Sequence, residues 1–134
     1  MNRIFVYGSL LSGMGNSHFL ENSQKLGDDI TPNGFSLVDL GYFPGALKAN
    51  YGIIKGEVYE VDDNTFKRIN QLEGYNEANP TKGLYNRIEI DTTFGKAFMY
   101  IYNNVYNSND FTFVEDGDWR TYYNKYKVRH EAFR

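Results

Sequence analysis

Ile53-Ile54-Lys55-Gly56-Glu57-Val58-Tyr59-Glu60-Val61 runs into Asp62-Asp63, and beyond that pair Phe66, Ile69 and Leu72 recur at helical spacing until Gly74. The first segment is β-prone and stops at two acidic residues suited to capping exposed amide groups. The second carries one apolar stripe and ends on a glycine, the residue most at ease just past a helix. A strand followed at once by a short amphipathic helix sets the scale of the elements expected on either side.

Toward the N-terminus, Ile4-Phe5-Val6-Tyr7 reads as a buried first strand that ends at Gly8-Ser9. Ser12 to Asn16 is a Gly- and Ser-rich turn, and His18, Phe19 and Leu20 suggest a short helix ending before Gly27. One strand is expected before the Pro32-Asn33-Gly34 turn and another over 35–40, after which Tyr42-Phe43-Pro44-Gly45 breaks the chain. Toward the C-terminus, strands over 85–91 and 96–102 flank a turn at Thr93-Phe94-Gly95, and the polar stretch from Asn103 to Asp110 reads as a loop. Trp119, Tyr122, Tyr123 and Tyr126 then fall on one face of a helix opened by Asp116-Gly117-Asp118, a stripe suited to docking on the core. About six strands and two or three short helices, with strands mostly adjoining each other, predict an α+β fold with a closed or nearly closed sheet, as one domain over 1–134.

Composition narrows the chemistry. The 134 residues include no Cys, which excludes disulfides, thiol catalysis, zinc ribbons and thioether haem attachment. A chain of this length buries roughly two thirds of its unfolded surface without such staples. Net charge is −3, against a dedicated nucleic-acid binder, and the 17% aromatic content falls at strand spacing without interleaved Arg and Lys, as a core rather than a base-stacking platform. The opening Met-Asn-Arg-Ile-Phe-Val has no signal-peptide character and no apolar run reaches transmembrane length, so a soluble, cytoplasmic protein is expected. Two histidines, His18 and His130, read as surface residues and compose neither a metal site nor a Ser/His/Asp array.

Two features carry chemistry. Glu73 lies four residues after Ile69 and seven after Phe66, on the apolar stripe and in the last helical turn, where burial and the helix dipole both raise a carboxyl pKa toward the range of a general base. A frayed helix end, or pairing with an Arg, would account for the same position. The loop Tyr7-Gly8-Ser9-Leu10-Leu11 follows a buried strand, so its backbone amides can converge on an anion or a developing oxyanion, with Gly8 permitting close approach. An ordinary strand-to-helix turn would look the same, and no phosphate-loop or dinucleotide spacing is present.

Seven pieces, in order, resemble the gamma-glutamylcyclotransferase-like family. They are Val6-Tyr7-Gly8-Ser9-Leu10-Leu11, Gly34-Phe35-Ser36-Leu37, Gly41-Tyr42-Phe43-Pro44-Gly45, Gly56-Glu57-Val58-Tyr59-Glu60-Val61, Leu72-Glu73-Gly74-Tyr75, Tyr85-Asn86-Arg87 and Asp116-Gly117-Asp118-Trp119. The resemblance implies a small mixed β-barrel with flanking short helices and a cavity at the end of the first strand. It implies cofactor-free, metal-free release of 5-oxoproline and a free amine or amino acid from a small-molecule gamma-glutamyl substrate. Within it, Glu73 matches the catalytic acid/base. Tyr7, Gly8, Ser9 and Leu10 match the substrate-binding segment, and Tyr85 an aromatic position bordering the pocket whose hydroxyl can meet the substrate. Ser9 stands where many members have Thr, and Asn70 where many have Asp. Short length favours gamma-glutamyl amines over glutathione as substrates. An idle member that only binds a metabolite or peptide is the alternative, and the oligomeric state is left open.

Overall fold

The computed structural model describes residues 1–103 and 111–128. The expected loop after Asn103 and the expected surface position of His130 therefore fall largely or wholly outside the described residues.

The elements run β1 (Asn2–Val6), a 3-10 turn (Ser17–Leu20), β2 (Gln24–Ile30), β3 (Phe35–Asp39), β4 (Pro44–Lys48), β5 (Lys55–Val61), α1 (Asp63–Leu72), β6 (Tyr85–Thr92), β7 (Gly95–Tyr102), β8 (Thr112–Phe113) and α2 (Trp119–Tyr126). Five strands form one sheet in the order β2-β5-β1-β7-β6, and three form a second in the order β4-β3-β8. β1 lies at the centre of the larger sheet, antiparallel to β5 and parallel to β7, with Ile4 opposite both Tyr59 and Phe98.

Both faces of β1 are covered, so its side chains divide between two cores. Phe5 and Tyr7 join Leu37, Ala46, Ile54, Val58, Met99 and Trp119 in one. Ile4 and Val6 join Leu20, Tyr59, Val61, Ile69 and Tyr100 in the other, beneath α1. Asp62 caps α1, accepting from the Thr65 amide at 2.7 Å, and Asp118 caps α2, accepting from Thr121 at 3.2 Å. α2 docks on β3 through Asp39, whose carboxylate accepts from Tyr122 Oη and pairs with Lys127 Nζ, each at 2.8 Å.

Four expectations change. Among the described residues the sheets do not close into a barrel: β2 and β6 are the edges of the larger sheet, and β4 lies across β7 by close packing. A β-carbon on Gly45 would sit 2.9 Å from Tyr102 Cβ, so the approach depends on that glycine. Pro44-Gly45, read as a break, instead begins β4, because proline is tolerated as the first residue of an edge strand. The segment around His18 is 3-10 rather than α-helical, and β8 has only two residues, too short for sequence periodicity to register. On α1, Ile69 is fully buried while Leu72 is 37% exposed, so the buried stripe is narrower than its spacing suggests.

The aromatic stripe of α2 docks as expected at Trp119, with Tyr122 and Tyr123 half-buried, whereas Tyr126 is exposed. His18 is exposed. No helix among the described residues is long and apolar enough to cross a membrane.

Candidate active site

The chain leaves β1 at Tyr7 and enters a turn closed by a Leu11 amide to Gly8 carbonyl bond of 3.0 Å. Asn16 grips that turn twice, its amide donating to the Ser9 carbonyl at 2.8 Å and its Nδ2 to Ser9 Oγ at 2.9 Å. Because Asn16 donates to it, the Ser9 hydroxyl keeps its own proton for another acceptor. Among the described residues the Ser9 and Leu10 amides have no acceptor. Leu10 buries its side chain in the α1 core while also lining the cleft.

Glu73 reaches the same place from α1. The helix ends in a Schellman motif, with the Tyr75 amide on the Asn70 carbonyl (2.9 Å), the Gly74 amide on the Gln71 carbonyl (3.1 Å) and Gly74 at φ +65. Glu73 occupies the cap position of that motif and lines the cleft. The last turn is fastened to the sheet by a hydrogen bond from Tyr100 Oη to Asn70 Oδ1. Arg87 adds a second fastening, its guanidinium carbon 4.8 Å from the Phe66 ring centre, 4.5 Å from Tyr75 and 4.7 Å from Phe98. Asn70 thus serves as an acceptor that holds the helix end.

A cleft of about 380 Å³ results, lined by Tyr7, Gly8, Ser9, Leu10, Glu73 and Tyr85 together with Asn16, Pro44, Tyr100, Trp119 and Tyr123. All six residues singled out in the sequence line it. Glu73 is half-buried, and among the described residues no group donates a hydrogen bond to its carboxylate. Loss of hydration alone lifts its carboxyl to about 7.

The two tyrosines differ from expectation. Tyr7 and Tyr85 are only 6% and 4% exposed, so they form the inner wall of the cleft. Tyr7 Oη donates to the Tyr100 carbonyl at 2.7 Å and accepts from the Ala46 amide at 3.1 Å. Tyr85 Oη donates to the Pro44 carbonyl at 2.5 Å. Each hydroxyl proton is therefore committed to backbone, and the pair bolts the start of β4 over the cleft. Burial, reinforced by the negative charge of Glu73, pushes both phenols far above their ordinary range and keeps them neutral. The mouth is rimmed by Tyr42, Phe43, Leu72 and Leu84, all exposed.

Residues that sequence reasoning left without a role include Asn16, Tyr100 and, most of all, Glu57. Its side chain is 2% exposed and receives hydrogen bonds from Ser12, Tyr59, Lys25 and Arg120. The available signal was a carboxylate set between Gly56 and Val58 in the middle of a β-prone run.

Comparison with known proteins bears on what such a cleft does. The family described as "Gamma-glutamyl cyclotransferase, AIG2-like" matches residues 4–121. The "Gamma-glutamylcyclotransferase family protein YtfP" of Escherichia coli K12 is 40% identical over 117 residues, covering 87% of this chain and 95% of that protein. A "Gamma-L-glutamyl-butirosin B gamma-glutamyl cyclotransferase" of Niallia circulans is 35% identical over 123 residues, 91% of this chain and 78% of that one. Among solved structures, the uncharacterized protein PH0828 of Pyrococcus horikoshii superposes with a TM-score of 0.74 at 32% identity, covering 96% of this chain and all of that one.

Proposed function

Since the chain belongs to the gamma-glutamyl cyclotransferase, AIG2-like family, we propose that it is an enzyme that converts a gamma-glutamyl amide into 5-oxoproline and a free amine. One observation carries this reading: Glu73, half-buried and without a hydrogen-bond donor among the described residues, shares a cleft with the Ser9 and Leu10 amides, which have no acceptor among those residues.

The substrate's α-amine is the nucleophile and its own side-chain carbonyl the electrophile. Glu73, ionised, takes a proton from the α-ammonium group. The freed nitrogen attacks the γ-carbonyl carbon, a new C–N bond closes the five-membered ring, and the bond to the leaving nitrogen breaks. Glu73 gives that proton to the leaving nitrogen as its bond to carbon breaks, and the second proton left on the ring nitrogen passes over the same carboxylate to the freed amine, which departs as an ammonium ion, so the enzyme ends as it began. Holding a cyclisable conformer replaces a bimolecular encounter, which is worth several kcal/mol of barrier, and the reaction needs no cofactor. In this reading the Ser9 and Leu10 amides and the Ser9 hydroxyl serve as donors for the oxyanion or for the glutamyl carboxylate. Tyr7 and Tyr85 act as scaffold, since their protons are held by backbone carbonyls.

The leaving amine would lie toward the rim of Tyr42, Phe43, Leu72 and Leu84, which suits gamma-glutamyl amines with an apolar or extended amine half. Incubating the protein with a panel of gamma-glutamyl amines, gamma-glutamyl amino acids and glutathione, and measuring 5-oxoproline, tests the reading. Turnover by the wild-type protein and loss of it in Glu73→Gln are expected. Thermal stabilisation by these compounds without any product would point to a binding module instead.

A further inference from the structure

We propose that Glu57 and Arg120 are positioning residues that hold the Gly8–Ser12 turn in its binding shape from the side facing away from the cleft. The inference rests on the reading that this turn binds the substrate. Neither residue lines the cleft; both border a separate depression beside β2 and β5, reached past Leu11.

Residue Ser12 is the meeting point. Its amide donates to Glu57 Oε1 at 2.8 Å and its hydroxyl to Glu57 Oε2 at 2.7 Å. One terminal nitrogen of Arg120 donates to the Ser12 carbonyl at 2.8 Å, to Ser12 Oγ at 3.1 Å and to Glu57 Oε2 at 2.9 Å. Tyr59 Oη, at 3.0 Å, and Lys25 Nζ, at 3.3 Å, complete the shell around the carboxylate. Every polar atom of Ser12 is thereby held by two residues far away in sequence.

The turn is clamped at both ends as a result. At its start, Val6 pairs with Glu57 itself in the β1–β5 ladder, so the residue that anchors the end of the turn also sits opposite its entry. Between these anchors lie the Ser9 and Leu10 amides. A buried ion pair adds little net stability over well-packed apolar groups, and its best-attested return is a fixed geometry. Here that geometry belongs to a turn whose donors are useful only when they converge, and a displacement of about 1 Å at such a site can cost about a hundredfold in rate. Arg120 follows Trp119, which lines the cleft, so α2 holds the turn from behind while forming part of the wall in front of it.

The test compares full-length wild type, Glu57→Gln, Arg120→Met and Arg120→Lys by residue-resolved hydrogen exchange and by steady-state kinetics with a gamma-glutamyl amine. In Glu57→Gln and Arg120→Met the hydrogen-bonded Leu11, Ser12 and Asn16 amides should exchange about tenfold faster than in wild type while β6 and β7 stay protected. KM should rise about tenfold, with the acid limb of the pH profile unmoved and Arg120→Lys falling in between. Loop exchange and KM equal to wild type in folded Arg120→Met would overturn the proposal, as would a shifted acid limb at unchanged KM. If Glu57→Gln fails to fold, Arg120→Met and Ser12→Ala carry the comparison, since Arg120 is only half-buried and Ser12 is exposed. Exchange does not depend on turnover: faster loop exchange in the variants of a protein that cyclises no gamma-glutamyl compound would keep the clamp and discard the proposed reaction.

Discussion

A β-carbon placed on Gly8 would lie 2.8 Å from Pro44 Cγ and 2.9 Å from Pro44 Cδ, so the first residue of the turn after β1 and the first residue of β4 fit together only because one is glycine. Substituting Gly8→Ala should force the two apart and cost about 1 to 3 kcal/mol. The Pro44→Ala change removes the ring that the new methyl meets but keeps the carbonyl that accepts from Tyr85. Urea titration of both single variants and the double variant should therefore show strong positive coupling. Strictly additive losses would mean that the contact does not limit position 8.

For Glu73, the carboxyl sits at about 7 in the folded chain against an ordinary 4.5, and two consequences of opposite sign follow. A general base must be ionised, so kcat/KM should fall as pH drops through about 7. Stability moves the other way. The folded state binds the proton more tightly than the unfolded one, so stability contributed by the protonated group is full below about 4.5 and declines as pH rises through about 7. Glu73→Gln should thus abolish turnover yet raise the stability measured at pH 8 by about 1 to 3 kcal/mol, within the free energy of such a shift. Chemical denaturation of both proteins at pH 5 and pH 8 checks the sign, since the gain should be much larger at the higher pH.

The committed hydroxyls make Tyr7→Phe and Tyr85→Phe stability variants before anything else. Removing Tyr7 Oη orphans the Ala46 amide and the Tyr100 carbonyl, and removing Tyr85 Oη orphans the Pro44 carbonyl. Losses of about 1 to 3 kcal/mol per orphaned group are expected, larger for Tyr7. At temperatures where Tyr85→Phe is folded, KM should stay within about threefold of wild type. A large KM increase with unchanged stability would assign the hydroxyl to substrate contact.

Acid stability should depend on Glu57. Burial disfavours its ionised form, but hydrogen bonds from the Ser12 amide and hydroxyl, Arg120 and Tyr59 outweigh that and hold the carboxyl at about 2. A depressed carboxyl stabilises the fold above its unfolded value near 4.5 and loses that contribution as pH falls toward 2. Denaturation midpoints of wild type should fall across this window. In Glu57→Gln they should start lower at pH 7 and change less; parallel curves would place the acid sensitivity elsewhere.

How much of this was legible in the sequence varies with the range of the interaction. Glu73 stood out because helical periodicity is local: Ile69 and Phe66 fix the face, and Gly74 fixes the end. The turn after β1 was visible because Gly8-Ser9 follows a run of buried strand residues. Glu57 was hidden because β5 is buried on both faces, so alternation gave no sign of which face was polar, and its partners Ser12 and Arg120 lie 45 and 63 residues away. β4 was hidden because Pro44 and Gly45 read locally as breakers, and it takes their pairing with Asp39 and Val38 of β3, with Tyr85 and Tyr102 packed against them, to make them a strand. That the sheets stay separate instead of closing into a barrel was hidden for the same reason, since β4 meets β7 by side-chain packing and not by strand pairing.

Strand β1 precedes every other strand in the chain yet sits between β5 and β7, with Ile4 opposite residues 59 and 98. Its hydrogen-bonding partners are synthesised long after it, so the central strand waits for the later part of the chain, and contacts of such long sequence separation slow folding. Until then β5 and β7 present open edges, the surfaces by which incomplete chains pair with one another. The turn that follows β1 inherits this timetable. The cleft is complete only when the last pairing closes, so a ligand that fits the cleft selects for the finished fold.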